Sequence, residues 1–445
     1  MAAFKRDYGL WLGASTSDML GRSLCTVALP FVIVELTGST AVAGLVNTAG
    51  MVAFLLVMLF GGVLVDRIDR RKGMYARSIS GALLWFAFAL LLFFGVLQLW
   101  HVVAITVSIK ILDGLFGMAD NAALRSIVPG DEEFTKAVSI NQGRNAAVNI
   151  GGGPIGGFLY SVAHSLPYFV SAAFLAVMAI LTRLIRTDLR PSKDSEAQLR
   201  DGNEGEASGA VAKQRGVGAA MRKVFRDIGE GFAFVWKEPV LRANCLIFMA
   251  VNAGLAFTVN TAMYHLMLRG YTAFELSIME SVFAVLMIVA SILAGRYLPR
   301  FRSGRVLLVA FSGMLAVSIL ATVSHGYVQL LVWLALYGLV LPFIASTAQG
   351  YIFSTTPGHL QGRVNSVAGI AELGITAFVP AITGALVGAG HVVLSFSLGA
   401  AVAALSVAGV LASRGLRTLG KPSQWHPNAS EGDDSAGADA GQKPE

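Results

Sequence analysis

Two apolar runs, Ala41 to Phe60 and Met74 to Leu97, stand on either side of the charged knot Gly62-Val63-Leu64-Val65-Asp66-Arg67-Ile68-Asp69-Arg70-Arg71. Each run is long enough as a helix to cross a hydrocarbon core of about 30 Å, which takes roughly 20 residues. The knot is therefore a tight loop at a membrane face, although in a water-soluble chain it would be a surface turn. The 445 residues are 55% hydrophobic and only 14% charged, against about 25% charged in an ordinary globular protein. A water-soluble core cannot absorb that much apolar sequence, and here it comes in repeated long blocks with short polar joints. Lipid offers no partner to unpaired backbone groups, so spans must be helices or a closed barrel, and runs this continuous are helices.

The blocks mark twelve spans, at 8–34, 41–65, 74–97, 101–123, 138–162, 166–187, 240–267, 275–298, 305–324, 327–353, 364–388 and 391–413. Lys5 and Arg6 precede the first run, but no small-residue cleavage site ends it, so it stays a span. Basic residues collect in alternate joints: Arg67, Arg70, Arg71, Lys72 and Arg77 around the second, Arg296, Arg300, Arg302 and Arg305 around the eighth, and Arg414, Arg417 and Lys421 after the last. The joints 36–40, 98–100, 163–167 and 389–390 carry no Lys or Arg, and Arg269 is a lone exception. The positive-inside rule then places both termini and the central segment in the cytoplasm of a bacterial-type plasma (inner) membrane protein. The net charge of +7 suits anionic lipid and requires no nucleic acid.

Residues 188–238 are rich in charge, Gly and Ser and separate a six-span unit, 1–187, from a second, 239–413, with 414–445 as an unstructured cytoplasmic tail. Within the linker, Met221, Val224, Phe225, Ile228, Phe232 and Val235 are apolar at helical spacing among basic residues, the pattern of an interfacial helix. The halves echo each other. Gly62 to Arg71 corresponds to Gly295 to Arg305, and Val128-Pro129-Gly130 before Val138-Ser139-Ile140-Asn141 corresponds to Thr356-Pro357-Gly358 before Arg363-Val364-Asn365-Ser366. Such duplication predicts an all-α membrane protein of twelve transmembrane helices in two six-helix pseudo-symmetric bundles, with the substrate site between them.

The loop Gly62-x-x-x-Asp66-Arg67-x-x-Arg70-Arg71 resembles the loop 2–3 signature of the major facilitator superfamily, with Asp69 where that pattern usually has Gly. Gly153-Pro154-Ile155-Gly156-Gly157 in span five resembles the superfamily's antiporter motif, with Asn149 in place of the Gly expected at its start. Glu35-Leu36-Thr37-Gly38-Ser39, Asp66 to Arg71 and Val128-Pro129 further resemble the branch containing bacterial macrolide-efflux and siderophore-export proteins. The resemblance covers about 8–413. It implies the major facilitator fold, alternating access and drug:proton antiport.

Physical reasons for the same residues stand beside the resemblance. Asp66 can accept hydrogen bonds from a neighbouring helix N-terminus or from Arg363 in the mirrored joint, a contact that forms in one conformation and breaks in another. Arg67, Arg70 and Arg71 are equally explained as topology determinants. In span five the glycines 151–153, 156 and 157 strip one face to backbone for close helix contact, and Pro154 frees a carbonyl and bends the helix; ordinary tight packing explains them too. Gly151-x-Gly153-x-x-Gly156 also spells a dinucleotide fingerprint, but in a membrane span with no preceding strand it is a chance match.

Charged groups inside a membrane are functional candidates by default. Asp18 and Arg22 lie one turn apart in span one, and Lys110 and Asp113 do the same in span four, so each is expected to pair within its helix. Ser15, Asp18, Arg22 and Thr26 share a face directed at a polar cavity. Glu280 and Glu372 have no basic residue within a turn, and a carboxyl so placed can take up and release a proton as the cavity alternates; a static hydrogen bond is the competing account. Glu372, Thr376, Pro380 and Thr383 form one stripe, whereas Glu280 is expected nearer the outer surface. Arg144 reads as a gate or topology residue. Asn252, Asn260 and Tyr264 of span seven, with Trp333, Tyr337 and Gln349 of span ten, are candidate substrate contacts, with Phe116, Met118 and Met263 as adaptable walls; core packing is the competing account.

Phosphate-loop, zinc-ligand and hydrolase-elbow patterns have no convincing context, so the expected protein is not an enzyme and draws on an ion gradient. Cys25 and Cys245 lie in spans with no local partner, which indicates neither disulfide nor metal. The expectation is a monomeric, cofactor-free, proton-coupled exporter of amphipathic small molecules. A dedicated siderophore or metabolite exporter is the alternative, and a non-transporting sensor on the same fold is the alternative from another class. The topology has a direct test. Impermeant thiol reagents should label Leu36→Cys from outside intact cells and leave Lys193→Cys and Arg417→Cys unmodified; external labelling of Lys193→Cys would invert the orientation.

Overall fold

The computed structural model describes residues 2–65, 69–128, 130–187, 189, 226, 229–324, 326–356 and 358–425, and every regular element among them is helical. Six helices precede the central segment: α1 (Ala2–Thr37), α2 (Thr40–Val65), α3 (Arg70–Phe93), α4 (Leu99–Ile127), α5 (Asp131–Val162) and α6 (Leu166–Leu184). After it come α7 (Pro239–Leu268), α8 (Ala273–Tyr297), α9 (Ser303–Val323), α10 (Tyr327–Thr355), α11 (Gly358–Thr376), α12 (Val379–Gly388), α13 (Val392–Ala412) and the short α14 (Arg414–Arg417). Among the described residues, eleven helices are long and apolar enough to cross a membrane, counting α11 and α12 as one from Val367 to Gly388. This is a multi-pass membrane protein. The stretch expected as span five lies within α5, whose 32 residues suffice for a crossing but whose polar and Gly-rich sequence keeps it outside that set.

Local chemistry sets the ends. Gly38 adopts φ +67° between α1 and α2, a left-handed turn that costs glycine nothing. Asp69, the departure from the resembled loop pattern, caps α3 by accepting the Arg71 amide at 2.9 Å. At α8 the Thr272 hydroxyl accepts the Glu275 amide at 3.3 Å while the Glu275 carboxylate accepts the Thr272 amide at 2.8 Å, a reciprocal capping box. The run 364–388 is two helices instead of one, because Pro380 has no amide to continue the ladder and sits in the first turn of α12. In contrast, α5 continues through Pro154.

With α11 and α12 counted as one span, helix pairings recur at an interval of six. Contacts α1·α6, α2·α4, α3·α4 and α3·α6 have their counterparts in α7·α13, α8·α10, α9·α10 and α9·α13. Two larger crossings join early helices to late ones, α2·α12 and α5·α8. Glycines make these approaches possible: a Cβ at Gly61 would strike the Gly114 carbonyl across α2·α4, and one at Gly338 would lie 2.7 Å from the Phe283 carbonyl across α8·α10. Across α2·α12 a Cβ at Gly44 would overlap the Pro380 carbonyl, while Thr40 Oγ1 donates to the Gly384 carbonyl at 2.9 Å and the Ala381 amide donates to Thr48 Oγ1 at 3.1 Å. Across α5·α8, Ser281 Oγ donates to the Ile150 carbonyl at 2.6 Å. The Thr40–Gly384, Thr48–Ala381 and Ser281–Ile150 hydrogen bonds lie toward the end opposite the basic α2–α3 and α8–α9 joints.

The glycines of α5 serve two neighbours. Gly152 and Gly156 face α1, where a Cβ would strike the Ser23 side chain and the Leu24 carbonyl, whereas Gly153 and Gly157 face α8. A Cβ at Gly157 would lie 2.6 Å from the Ala273 carbonyl and 2.7 Å from Ser277 Oγ. Gly151, grouped with them in the sequence, meets nothing within 4 Å.

Residues 414–425, expected in the unstructured tail, are folded onto α9 and α10. The Ser303 and Gly304 amides donate to the Gly420 and Leu419 carbonyls at 3.1 and 3.2 Å, and buried Trp425 meets Tyr351 edge-on at 6.0 Å. Residues 426–445 lie outside the described residues, as do 190–225 of the linker; 229–237 are helical, and Val235 is buried against Leu241 and Ile352 while Phe232 is exposed.

The α5 geometry separates two substitutions. Gly156→Val should cost stability on the order of 1–3 kcal/mol, seen as a lower Tm in detergent. Gly157→Val should leave Tm within a few degrees and open the α5·α8 contact, making a Ser281→Cys reporter more reactive. Equal losses of Tm would show that both faces belong to the folding core.

Candidate functional site

The interior of the first six helices holds a charge cluster drawn from three of them. Arg77 of α3, only 4% exposed, donates from Nη2 to both carboxylate oxygens of Asp18 on α1, at 2.5 and 2.6 Å, and from Nε to Asp113 of α4 at 3.0 Å. Arg22, one turn beyond Asp18, reaches it at 2.5 Å and lies 4.0 Å from Asp113. Asp18 is 1% exposed, Asp113 is 13% and Arg22 is 46%, so the cluster is sealed on the Asp18 side and open at Arg22. A guanidinium cannot shed its proton in this setting, so its burial demands carboxylates at hydrogen-bond distance.

One helix turn along α1, Ser15 Oγ donates to Asp120 Oδ2 at 2.7 Å, and Trp11 Nε1 donates to the Asp120 carbonyl at 3.1 Å. Asp120 Oδ1 is buried with no hydrogen-bond partner among the described residues. Arg144 of α5 closes this end, with its guanidinium 5.8 Å above the Trp11 ring and Nη2 bonded to Asn145 at 2.8 Å. Three aspartates and three arginines thus share one bundle interior, with Lys110 as a further cation beside Asp113. On the open side a cavity of about 180 Å³ is lined by Arg22, Thr26, Asn47, Thr106, Lys110 and Asp113 together with the apolar Cys25 and Trp85. Drug-sized ligands occupy roughly 300–1,000 Å³. This space is smaller than that, with Asp113 at its edge, and its donor set holds no cluster able to ligate a metal among the described residues.

With that geometry in place, comparison with known proteins decides the family. A family model described as Major Facilitator Superfamily matches residues 11–380 and 270–436. The chain belongs to the Major Facilitator Superfamily. This transporter is 25% identical over 378 residues to macrolide efflux protein A of Streptococcus pyogenes, covering 81% of this chain and 84% of the relative. It is 26% identical over 376 residues to the multidrug efflux pump Tap of Mycolicibacterium fortuitum, with the same coverage of 81% and 84%. Among solved structures, a bacterial homologue of the iron transporter ferroportin in an inward-facing state superposes with a TM-score of 0.68 at 14% identity, over 92% of this chain and 98% of the other. That likeness speaks to fold alone.

The transporter's other singled-out residues divide into those the structure engages and those it sets apart. Asp113 pairs with Arg77 in place of the expected Lys110, because its carboxylate faces α3; Lys110 lines the cavity with no ion pair among the described residues. Arg77, read from the sequence as a topology residue, is the hub, and Asp120 was not singled out at all. Both left a trace in the sequence. Arg77 lies inside the apolar run that begins at Met74, and Asp120 falls seven residues, two turns, after Asp113.

Arg70 and Arg71 make specific contacts beyond any effect on topology. Arg70 Nη1 donates to Ser126 Oγ at 2.5 Å and the Ala122 carbonyl at 3.2 Å, and Arg71 Nη2 donates to the Thr187 carbonyl at 2.6 Å. Asp7 of α1 holds the same segment by accepting the Arg186 and Thr187 amides at 3.1 and 2.7 Å. Asp66 and Arg67 lie outside the described residues, as does the side chain of Arg363.

Glu280 is partly buried at the α5·α8 crossing, not at an open outer surface; its Oε2 is 3.9 Å from where a Cβ on Gly153 would sit. Glu372 is partly buried, and its own carbonyl accepts the Thr376 hydroxyl. Among the described residues neither carboxylate forms an ion pair.

The candidate substrate wall does not assemble. Tyr264 and Tyr337 are fully buried in the packed core. The Asn252 and Asn260 amides bond the Phe248 and Ala256 carbonyls of their own helix at 3.0 and 2.8 Å. Trp333 is partly buried against both core clusters, Gln349 is exposed, Met263 is buried and Met118 is exposed.

The cluster makes a stability prediction. Arg77→Gln leaves Asp18 buried beside a single cation and should destabilise by about 3–5 kcal/mol. Combining it with Asp18→Asn should recover part of the loss. Thermal unfolding of the purified variants reads both effects, and strictly additive losses would mean that Arg77 and Asp18 are not coupled.

Proposed function

We propose that this protein is a secondary active exporter of amphipathic small molecules, drug or macrolide-like, that works by proton antiport and alternating access. The architecture in this reading is twelve membrane-crossing helices in two pseudo-symmetric six-helix bundles, and the six-helix interval of the pairings supports it. The observation that carries the function is the buried Asp18–Arg77–Asp113 ion cluster, sealed at Asp18 and open to a small polar cavity at Asp113 and Arg22. A protein needs no carboxylate at the rim of a membrane-buried ion network merely to stand in a bilayer, and such groups are costly there. Macrolide and multidrug efflux proteins among the relatives support this substrate class.

Placing the basic joints in the cytoplasm of a bacterial plasma (inner) membrane puts the α2·α12 and α5·α8 hydrogen bonds toward the outer face. On the alternating-access reading, contacts closed toward the outer face are those of an inward-facing state. Opening outward then requires these small-residue contacts to part.

Expression in efflux-deficient bacteria should lower the steady-state accumulation of at least one macrolide or amphipathic dye severalfold, and a protonophore should abolish the effect. In proteoliposomes, the carboxyl that carries the proton is the one among Asp18→Asn, Asp113→Asn, Glu280→Gln and Glu372→Gln whose loss stops uphill efflux and leaves binding or downhill exchange. Full uphill transport by all four would remove these carboxyls from the proton path, and protonophore-resistant export would remove proton antiport altogether.

A further inference from the structure

Far from the Asp18 cluster, beside the joint between α8 and α9, lies a second cavity of about 690 Å³. Its composition is divided. The rim carries Arg300, Arg302, Arg305 and Lys421, and the wall along α9 and α10 is apolar, with Val309, Gly313 and Val340. All four cationic side chains are exposed, and none forms an ion pair among the described residues. Arg300 stands over the Tyr297 ring, 5.5 Å from its centroid, a contact that leaves its guanidinium donors free for an anion. Val309, 74% exposed, turns its side chain outward from a membrane-crossing helix.

The cations are gathered by the fold. Lys421 reaches the rim because the chain after α13 is bonded to the first turn of α9 through the Ser303 and Gly304 amides. Gly304 is needed for that approach, since a Cβ there would strike the Arg417 carbonyl. These amides are spent on Gly420 and Leu419, so an anion at the rim is met by side-chain guanidinium and ammonium groups. Four cations at the polar edge of an apolar slot match a molecule with a phosphate at one end and hydrocarbon at the other.

We propose that this cavity is a binding site for an anionic phospholipid, with the phosphate held by Arg300, Arg302, Arg305 and Lys421 and an acyl chain lying along Val309, Gly313 and Val340. The rival occupant within the chain is the segment 426–445, which carries Glu431, Asp433, Asp434, Asp439 and Glu445 and follows directly on Trp425. That segment has no Leu, Ile, Val, Met or aromatic side chain other than His426, so nothing in it fills the apolar wall. A lipid satisfies both halves of the site.

The full-length protein in mild detergent, titrated with phosphatidylglycerol or phosphatidylcholine and read by native mass spectrometry, tests the assignment. Phosphatidylglycerol should be retained in preference to phosphatidylcholine. Arg302→Gln with Arg305→Gln should weaken its binding by about tenfold or more and leave phosphatidylcholine unchanged. Gly313→Phe should weaken it through the wall; a Cβ there meets only Val340 Cγ2 at 3.6 Å, an ordinary contact. Should the Phe variant fail to fold, the arginine pair decides. Equal binding by wild type and the double variant would overturn the site. Displacement by glycerol phosphate at the lipid's own concentration would replace the lipid with a soluble phosphate ligand, and a tenfold gain in lipid binding on truncation after Trp425 would make the acidic tail the occupant.

Discussion

A guanidinium that is 4% exposed within a membrane-crossing helix is tolerable only where carboxylates meet it at hydrogen-bond distance, because its desolvation is not recovered by packing. Arg77 therefore dictates what surrounds it. Asp18 must come from α1 and Asp113 from α4, each at a depth and rotation that points its carboxylate at α3. Three helices with no covalent reason to share a register are fixed in one. The polar neighbours follow: Ser15 is one turn from Asp18 and finds Asp120, two turns from Asp113, so the same pair of helix faces continues its polar contact along the bundle. Arg144 then supplies the third cation near that end.

The later helices repeat the pairings without the chemistry. Where α1, α3 and α4 enclose ions, α7, α9 and α10 enclose Val251, Phe311, Met314 and Tyr337. The asparagines of α7 turn back on their own helix. What the two sets share is glycine at the tight crossings, Gly61 and Gly114 in one and Gly338 in the other. Within a membrane the hydrophobic effect does not drive helices together, and close backbone approach with dispersion contact does. The crossings that join the two sets, α2·α12 and α5·α8, use the same device with few side chains interleaved. Parting the α5·α8 surface would uncover the Glu280 carboxyl beside Gly153.

Much of this was legible from periodicity. Apolar run lengths located most helix ends to within a few residues, because the thickness of a bilayer is a ruler the sequence must match, although α1, α5 and α11 begin six or seven residues before their expected spans. Asp18 with Arg22 was legible because four residues on one helix is a geometric statement. Asp113 with Arg77 was not, since it depends on the rotation of α3 against α4, and spacing alone favoured Lys110. Tyr264 and Tyr337 read as cavity walls because a tyrosine stripe looks the same whether it faces a cavity or a core; both proved fully buried. Residues 414–425 read as tail because their anchoring is made by backbone groups and by the absence of a side chain at Gly304, neither of which has a pattern in composition. The α5 glycines were legible as a packing face, but their division between α1 and α8 follows only from the three-dimensional crossing.

On the antiport reading, geometry also ranks the carboxylates within the cluster. Protonating Asp18 would disturb three bonds at once, two from Arg77 at 2.5 and 2.6 Å and one from Arg22 at 2.5 Å, in a place water does not reach. Protonating Asp113 would disturb one bond of 3.0 Å from Arg77 and a looser approach of 4.0 Å from Arg22, at the edge of a cavity. The costs differ in the same direction as the access. Asp18 is thus suited to be the permanent counter-charge that keeps Arg77 in place, and Asp113 to be the exchangeable partner. When Asp113 is neutral, Arg22 keeps its hold on Asp18, and its exposed side is released toward the cavity. On that reading a cationic group reaching the rim of the cavity would be attracted by the ionised Asp113 and lose that attraction when the proton returns to it, which is the competition an antiporter requires. On the antiport reading, the asymmetry between two aspartates on one arginine would supply both a fixed scaffold and an exchangeable site within about one side chain's reach.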